Sequence, residues 1–250
     1  MRLDCIVRTD EGEFMRYPGG KGRLWRDIVS LMPPHEVYIE THLGGGSVLR
    51  NKRPANRSIA IDLDPSVIDA AVDWGLPRVE YVLGRAEDFL TTYPFTGREL
   101  VYLDPPYLPS TRQNRRYYRH EYDEEDHVQL LDIIANIDCH VMISGYEADL
   151  YSSRLADWSR YPMINVTHGG RKTEHVWTNF DLQSHLHDFS VIGGDFRERD
   201  RIRRRAKRWT SRLDGLPALE RNAMVEAMVM SPKIDRAMVE RLAELKREQS

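Results

Sequence analysis

An acid, two prolines and a tyrosine end an apolar run in LVYLDPPYLPS, residues 100–110. Proline has no backbone N–H, so the turn that follows Asp104 offers mainly acceptors, namely the Asp104 carboxylate and the Pro105 carbonyl. Tyr107 adds an aromatic face beside them. Acceptors next to a stacking ring suit a flat substrate that carries an NH₂ group. The alternative is a rigid exit from a strand with an incidental acid.

A second candidate site is the glycine-rich segment YIETHLGGGSVL, residues 38–49. The glycines from Gly44 to Gly46 allow the backbone to turn sharply and to approach a ligand closely. We predict a strand before them and the start of a helix after them, whose first N–H groups would be available to a ligand. Taken alone, such a cluster is also typical of an ordinary loop.

An acidic residue, Asp62, lies in the next apolar run, about twenty residues beyond the glycines. Nucleotide-binding α/β folds place a carboxylate at this position to bind the hydroxyls of a ribose. The glycine turn and the acid together favour a cofactor that contains adenosine, without choosing among NAD, FAD and S-adenosylmethionine. The alternative is that Asp62 caps the following helix, as Asp64 could do before Pro65.

Five runs of strand length, rich in apolar, β-branched or aromatic residues, alternate with segments of helical spacing. The runs are EVYIET (36–41), SIAIDL (58–63), VEYVLG (79–84), LVYLDP (100–105) and HVMISG (140–145), and the helical segments include GSVLRNK, SVIDAAVDWG and DHVQLLDIIANI. This alternation predicts an α/β fold with a doubly wound, mostly parallel sheet, whose ligands bind at the carboxyl ends of the strands. MINVTHGG and EHVWTNF predict a hairpin at the edge of the sheet.

The pattern changes near residue 194, after which no strand signal is found. Gly215-Leu216-Pro217 and Ser231-Pro232 divide the remaining segment into three predicted helices. We therefore predict a main domain over residues 1–193 and a basic, helical C-terminal extension over residues 194–250.

With these motifs, the chain resembles the Dam-type, or D12 class, of DNA adenine-N6 methyltransferases. YLDPPY looks like the catalytic motif of that family, YIETHLGGGSV like its cofactor motif, and RYPGGKGRL (16–24) like the segment that precedes it. AIDLDPSVI is similar to the segment with the ribose-binding acid, and VMISGYEADLY and GGRKTEHVWTNF resemble later motifs. The resemblance covers roughly residues 15–180 and implies a Rossmann-like class I methyltransferase fold.

The sequence departs from the family pattern at several positions. Thr41-His42 stands where Pro-Phe is usual, Tyr17 stands where Trp is common, and Arg85 or Asp88 falls near the usual third acid. Dam-type enzymes often carry a target-recognition insert between the third strand and the catalytic motif. Only AEDFLTTYPFTGRE lies there in this chain, which is too short for such a domain.

The resemblance implies methyl transfer from S-adenosylmethionine to the N6 amino group of adenine in DNA. Asp104 and the Pro105 carbonyl would accept hydrogen bonds from that group, and Tyr107 would stack on a base flipped out of the duplex. The implied catalytic residues are Asp104, Pro105, Pro106 and Tyr107, and the implied cofactor-binding residues are Tyr17, Lys21, Glu40, Gly44, Gly46 and Asp62. No metal is expected, because the sulfonium is the electrophile. There are two alternatives. The protein could methylate adenine in RNA, or it could be a non-catalytic protein with the same fold that binds nucleic acid.

Two basic segments are candidate contacts for DNA. STRQNRRYYRH (110–120) follows the catalytic motif and carries Arg112, Arg115, Arg116 and Arg119. Residues 197–213, which include Arg203, Arg204 and Arg205, have nine Lys or Arg and two acids, a net charge of +7, while the whole chain has −3. A basic helix on an acidic body suits a polyanion. The alternatives are a solvated surface loop and a helix that is solvated or contacts a partner.

The composition excludes several other classes of protein. With 41% hydrophobic and 30% charged residues, the chain suits a soluble protein with a sizeable core. Cys5 and Cys139 form no CxxC pair, which disfavours a disulfide framework or a thiolate zinc site. The sequence has no apolar run of about 18 residues, so we expect no membrane span. The N-terminus lacks the apolar core of a signal peptide. We expect a cytoplasmic protein. The recognition sequence, a restriction enzyme as partner and the oligomeric state stay open.

The acidic run HEYDEEDH, residues 120–127, has two histidines and five acids and could bind a metal. Consecutive acids are more typical of a solvated loop. We therefore predict that Asp126 caps the helix that follows.

Overall fold

The computed structural model describes residues 6–8, 14–16, 21–22, 24–111, 119–167, 170–182, 185–234 and 236–248. Two short strands, β1 (Ile6–Arg8) and β2 (Phe14–Arg16), pair antiparallel with each other. The chain divides into two compact units, Met1–Phe189 and Ser190–Ser250.

A seven-stranded sheet forms the centre of the first unit. Its strands are β3 (Val37–Glu40), β4 (Arg57–Asp62), β5 (Val79–Leu83), β6 (Glu99–Leu103), β7 (His140–Gly145), β8 (Ser159–Thr167) and β9 (Gly170–Thr178). They are ordered β5-β4-β3-β6-β7-β9-β8, with the first five parallel and β9 antiparallel to both of its neighbours. The predicted α/β sheet, the five predicted strands and the edge hairpin are confirmed.

The central strands are apolar over most of their length because both faces of a parallel sheet are covered. Every residue of β6 is buried, and so are Ile39 on β3 and Ile61 on β4. The edge strand β5 is half-buried or exposed along its length. The order of the strands then reverses between β3 and β6, because the chain builds β4 and β5 on one side of β3 and returns to the other. A doubly wound sheet opens a ligand crevice at such a point.

Five helices cover this sheet in the part of the unit that the structure describes. They are α1 (Trp25–Val29), α2 (Pro65–Val72), α3 (Ala86–Thr92), α4 (Glu124–Ile134) and α5 (Asp149–Arg154). Asp64 caps α2 by accepting the backbone N–H of Ser66, with Pro65 at the first helical position. Capping by an acid at this helix therefore falls to Asp64 and not to Asp62.

Two sequence-based expectations about local structure are wrong. Residues 47–50 form turns instead of a helix, because Pro54 follows too closely for a helix to extend. The helix α4 begins one turn earlier than expected, so Asp123 is the cap and Asp126 lies inside the first turn. The two acids form a reciprocal capping box, each accepting the backbone N–H of the other.

Three helices form the second unit in its described part. They are α6 (Phe196–Asp214), α7 (Ala218–Val229) and α8 (Arg236–Glu248), separated at Gly215-Leu216-Pro217 and Ser231-Pro232 as predicted. Asp195 caps α6 by accepting the N–H of Glu198. Among the described helices of the chain, none combines the length and the apolar composition needed to cross a bilayer.

Candidate active site

An open cleft lies at the carboxyl ends of β3, β4 and β6 and encloses about 810 Å³, counted with its open mouth. The glycine turn after β3 forms one part of its wall, and the start of the Asp-Pro-Pro-Tyr turn after β6 forms another. Of the residues predicted to act in the site, the wall includes Lys21, Glu40, Gly44, Gly46, Asp62, Asp104 and Pro106. Tyr17 lies outside the described residues.

The glycine turn is held by backbone contacts and by one aromatic ring. Gly44 and Gly46 have φ values of +48° and +59°, a region that side chains disfavour. A Cβ atom at Gly46 would lie 2.3 Å from Cζ3 of Trp74. The absence of a side chain at Gly46 is therefore required by packing against Trp74, whatever binds in the cleft. Sequence reasoning assigned this glycine to the cofactor alone.

Asp62 fastens the same turn to the end of β4. Its Oδ2 accepts the N–H of Gly44 at 2.9 Å, and its Oδ1 accepts the N–H of Asp64 at 2.9 Å. Burial raises the pKa of Asp62, and these two N–H groups oppose that rise. Each carboxylate oxygen keeps a further lone pair, so Asp62 can hold the turn and still accept a hydroxyl from a ligand.

Glu40 is a buried carboxyl group in the wall of the cleft. The hydroxyl of Tyr38 donates to its Oε2 at 2.8 Å. Burial raises the pKa of Glu40 to about 8, against the opposing effects of Tyr38 and Lys52. Lys52 is itself buried, lies with Nζ 4.2 Å from the centre of the Tyr38 ring and donates to the carbonyl oxygen of Arg53. Burial lowers the pKa of Lys52 to about 7, so this part of the site loses charge near neutral pH.

His42 stands where the family pattern has Phe, and it keeps an aromatic ring in the cleft wall. Its Nδ1 lies 2.9 Å from Thr41 Oγ1, and its Nε2 lies 3.1 Å from the hydroxyl of Tyr122. Burial lowers the pKa of His42 to about 3, so the ring is neutral at physiological pH. The polar atoms that Thr41-His42 adds are satisfied within the wall. Sequence reasoning noted the replacement but missed Tyr122, which lies 80 positions away in the chain.

Lys21 contacts the carboxylate of Asp104 directly. Its Nζ lies 2.6 Å from Asp104 Oδ1 and 2.7 Å from Glu174 Oε1. Burial alone would lower the pKa of Lys21, but the charges of Asp104 and Glu174 hold that pKa well above its ordinary value. Ser144 Oγ also donates to Asp104 Oδ1, at 2.8 Å. Both of these donors bind the same oxygen, which leaves the lone pairs of Oδ2 as acceptors for a ligand.

Tyr107 is tied to the same group of charges through its hydroxyl. The hydroxyl accepts from Lys21 Nζ at 3.2 Å and donates to Glu174 Oε1 at 3.2 Å. The centre of its ring lies 4.4 Å from that of Tyr146, with the planes tilted by 45°. That spacing leaves no room for a third ring between them. A flat ligand could stack on Tyr107 only at the other face of the ring or after displacement of Tyr146.

Sequence reasoning missed three of these polar or aromatic neighbours, Ser144, Tyr146 and Glu174. All three lie in the segments VMISGYEADLY and GGRKTEHVWTNF, which the resemblance had marked without assigning any residue a role. The strand β9 reads GRKTEHVWT, so Glu174 stands among polar residues and no local signal marks it as buried.

Arginines near the cleft are engaged with acids. Arg119 Nη1 lies 2.9 Å from Asp64 Oδ2, although 61% of the Arg119 side chain is exposed. Arg85, one of the two residues near the usual third acid, lines the cleft and pairs with Asp126 at 2.7 Å. The other candidate DNA contacts of this segment, Arg112, Arg115 and Arg116, lie outside the described residues.

The second predicted DNA-binding segment lies on α6. Arg203 and Arg204 are 77% and 73% exposed, and they share Asp200 at 2.5 and 2.7 Å. Arg205 is exposed beside them. These ion pairs leave the segment strongly positive, because Asp200 is one of only two acids among residues 197–213.

A family model for the D12 class of N6 adenine-specific DNA methyltransferases matches residues 71–164 of the chain. This match covers the catalytic turn and confirms the resemblance over that part of the sequence. No match was found among curated proteins.

Several solved structures are similar to the chain in fold. Precorrin 8w decarboxylase from Methanobacterium thermoautotrophicum has a TM-score of 0.46 and 13% identity, over 72% of this chain and 100% of that chain. TrmK from M. capricolum, in complex with S-adenosyl-homocysteine, has a TM-score of 0.44 and 10% identity, over 82% and 94%. An rRNA methylase from Streptococcus thermophilus has a TM-score of 0.43 and 12% identity, over 62% of this chain and 93% of that chain. The strand order described above is that of a Rossmann-like methyltransferase fold.

Proposed function

We propose that this protein transfers a methyl group from S-adenosylmethionine to the N6 amino group of adenine in DNA. The observation that carries the proposal is that Asp104 and the glycine turn line one cleft at the point where the strand order reverses. The match of the D12 class over residues 71–164 supports adenine in DNA as the target.

The residues of the cleft suit S-adenosylmethionine. Asp62 has acceptor capacity for ribose hydroxyls, and the turn at Gly44 exposes backbone that a ligand can approach closely. His42 and Tyr122 supply a ring-lined wall without charge on the imidazole. When bound, this cofactor supplies an electrophilic methyl group on a sulfonium.

Asp104 and Pro105 would orient the target amino group. The lone pair of an adenine amine is delocalised into the ring, so the amine is a poor nucleophile. Two hydrogen bonds, from its N–H groups to Asp104 Oδ2 and to the Pro105 carbonyl, would localise that lone pair and aim it. The Asp104 carboxylate would also stabilise the positive charge that develops on the nitrogen.

A duplex target must leave its stack before its amino group can reach Asp104, at a cost of a few kcal/mol. In this proposal the extruded base stacks on the ring of Tyr107, either on the face away from Tyr146 or in place of Tyr146. The basic segments, at residues 110–120 and on α6, are the proposed contacts for DNA phosphates.

The proposal is tested by methyl transfer from labelled S-adenosylmethionine to duplex DNA, single-stranded DNA and RNA of matched sequence, with the product nucleoside identified by mass spectrometry. We expect N6-methylated adenine in DNA. Asp104→Ala should abolish transfer and keep cofactor binding, whereas Asp132→Ala, which removes an exposed acid on α4, should change neither. Equal transfer by the wild type and Asp104→Ala would refute the site, and transfer to RNA alone would refute DNA as substrate.

The role of α6 is tested separately by the dependence of DNA binding on salt. Replacement of Arg203, Arg204 and Arg205 by Gln should reduce the slope of log K against log salt by up to about 2.7, at about 0.9 per lost phosphate contact. A control that replaces three other cations of the same unit, Lys233, Arg236 and Arg247, has the same change in net charge. Equal slopes for the two variants would exclude α6 from the DNA interface.

A further inference from the structure

Glu174 is the deepest charged group of the site. It lies on β9, next to β7 in the sheet, and its side chain is fully buried. Its Oε1 lies 2.7 Å from Lys21 Nζ and accepts the Tyr107 hydroxyl at 3.2 Å. Burying a carboxylate is costly unless its partners compensate for the lost hydration, and both partners of Oε1 here belong to the candidate site.

The contacts of Glu174 close a ring that joins both ends of the Asp-Pro-Pro-Tyr turn. Lys21 bridges Asp104 and Glu174 and also donates to the Tyr107 hydroxyl, which in turn donates to Glu174. The first and the last residue of the turn are thus fixed to one buried pair of side chains. Pro105 and Pro106 between them have restricted φ, so the whole turn has little freedom.

We propose that Lys21 and Glu174 are positioning residues that orient Asp104 and Tyr107. In this proposal Lys21 is not a cofactor ligand, contrary to what its sequence motif implied. This inference rests on the proposed function and deepens it. Lys21 and Ser144 occupy Oδ1 of Asp104, so that Oδ2 is the oxygen presented to the target amine. Glu174 holds Lys21 in place from the opposite side and fixes the Tyr107 ring by its hydroxyl.

The balance of charge explains why a second carboxylate is needed. A lysine paired with Asp104 alone would neutralise the acceptor that the amine requires. With Glu174, the ring holds two carboxylates and one ammonium group, and so retains one net negative charge at the site where positive charge develops. In the part of the chain that the structure describes, no donor reaches Glu174 Oε2, so Lys21 and the Tyr107 hydroxyl, both at Oε1, are the groups that hold this carboxylate.

The test compares Lys21→Met and Glu174→Gln with Glu99→Gln in the full-length protein. Glu99 is a buried carboxylate at the opposite end of β6, where it accepts the N–H groups of Thr96 and Arg98. The measurements are the single-turnover rate on unmethylated genomic DNA at saturating cofactor, and the Kd of S-adenosylmethionine by calorimetry. We expect the rate to fall about 100-fold in Lys21→Met and about 10-fold in Glu174→Gln, with the cofactor Kd within about threefold of wild type. Glu99→Gln should keep its rate.

The double variant Lys21→Met with Glu174→Gln shows whether the two residues act as one unit. If they do, its rate should equal that of Lys21→Met alone, whereas independent roles would make the two losses multiply. Thermal unfolding identifies a variant that fails to fold. If Lys21→Met fails to fold, the decision rests on Glu174→Gln, which keeps the shape of the side chain.

The outcomes separate this inference from the proposed function. A wild type that transfers no methyl group to adenine overturns both. An active wild type whose Lys21→Met and Glu174→Gln variants keep the rate, or lose cofactor affinity in proportion to the rate, overturns the positioning roles alone. A rate lost at saturating cofactor with affinity retained supports them.

Discussion

Two lysines of the site are equally buried and differ in charge. Lys21 is 4% exposed and Lys52 is 5% exposed. Lys21 lies between two carboxylates, and its pKa is held well above its ordinary value. Lys52 faces the Tyr38 ring and the carbonyl oxygen of Arg53, and burial lowers its pKa to about 7. Burial is therefore the same cost in both places, and the number and distance of the carboxylate partners decide the outcome.

This difference in charge between Lys21 and Lys52 matches the different parts of the candidate site near which they lie. Lys21 contacts Asp104, the proposed acceptor for the target amine, whereas Lys52 lies close enough to Glu40 for the two groups to influence each other's pKa. The pKa of Glu40 is raised to about 8, so this acid and Lys52 can lose their charges together. Lys21 therefore stays ionised beside Asp104, whereas Lys52 and Glu40 can be charged or neutral near pH 7 to 8.

The strongest test of this contrast is the stability of Lys21→Met. The substitution leaves the fully buried Glu174 and the half-buried Asp104 without their shared cation, which should cost about 3–5 kcal/mol of unfolding free energy at pH 8. The pKa of Glu174 is raised by burial, so this carboxyl takes up a proton as the pH falls and the cost should shrink. Urea unfolding of wild type and variant at several pH values measures this, and a loss below about 1 kcal/mol at pH 8 would contradict the contrast.

Lys52→Met should have the opposite sign. The folded state disfavours the charged form of Lys52, because its pKa falls from 10.5 to about 7. That penalty is fully present below pH 7 and disappears as the pH rises toward 10.5. The variant should therefore be more stable than wild type by about 2 kcal/mol at pH 6, and by less at pH 9. A variant that is destabilised at pH 6 would show that Lys52 belongs with Lys21.

Glu40→Gln sharpens the same comparison from the acid side. Because the pKa of Glu40 is raised from 4.5 to about 8, the folded state binds an extra proton between these values, and wild-type stability falls as the pH rises through this range. The variant should lack this slope, which we expect to amount to about 1–2 kcal/mol after coupling to Lys52. Parallel unfolding curves against pH for wild type and variant would contradict the raised pKa.

An exposed pair sets the lower limit of the comparison. Arg57 and Glu80 lie 2.5 Å apart and are 52% and 53% exposed. Arg57→Gln should change stability by about 0.5 kcal/mol or less, and 0.5 M salt should remove even this effect. A larger change would mean that burial is not what separates the two lysines from ordinary surface charges.

Most of the fold could be predicted from the sequence, because strands and turns are indicated by local patterns of residues. The runs around Ile39, Ile61 and Val101 are apolar and β-branched, which suits strands covered on both faces. Asp104 and the glycine turn could be placed in one cleft since both end parallel strands. The helix expected after Gly46 failed because Pro54, outside the motif, stops it.

The contacts that could not be predicted from the sequence depend on the order of the strands in the sheet and on packing between distant segments. Glu174 reaches Lys21 only because β9 inserts between β7 and β8, and no spacing along the chain indicates that insertion. The GGK motif marked Lys21 as part of the site but could not say which carboxylate it meets. The glycine cluster likewise indicated a turn next to a ligand, but no local pattern indicated that Trp74 packs against Gly46.

The late position of β9 in the chain also has a consequence for synthesis. The glycine turn, Asp62 and Asp104 all leave the ribosome before Glu174 does, since β9 begins at Gly170. A nascent chain that ends short of this strand already has the proposed cofactor turn and acceptor, but it lacks the acid that anchors Lys21 and Tyr107. The full rate of the proposed methyl transfer should therefore appear only when translation has passed β9, and a chain released before this strand should be slower than the full-length protein.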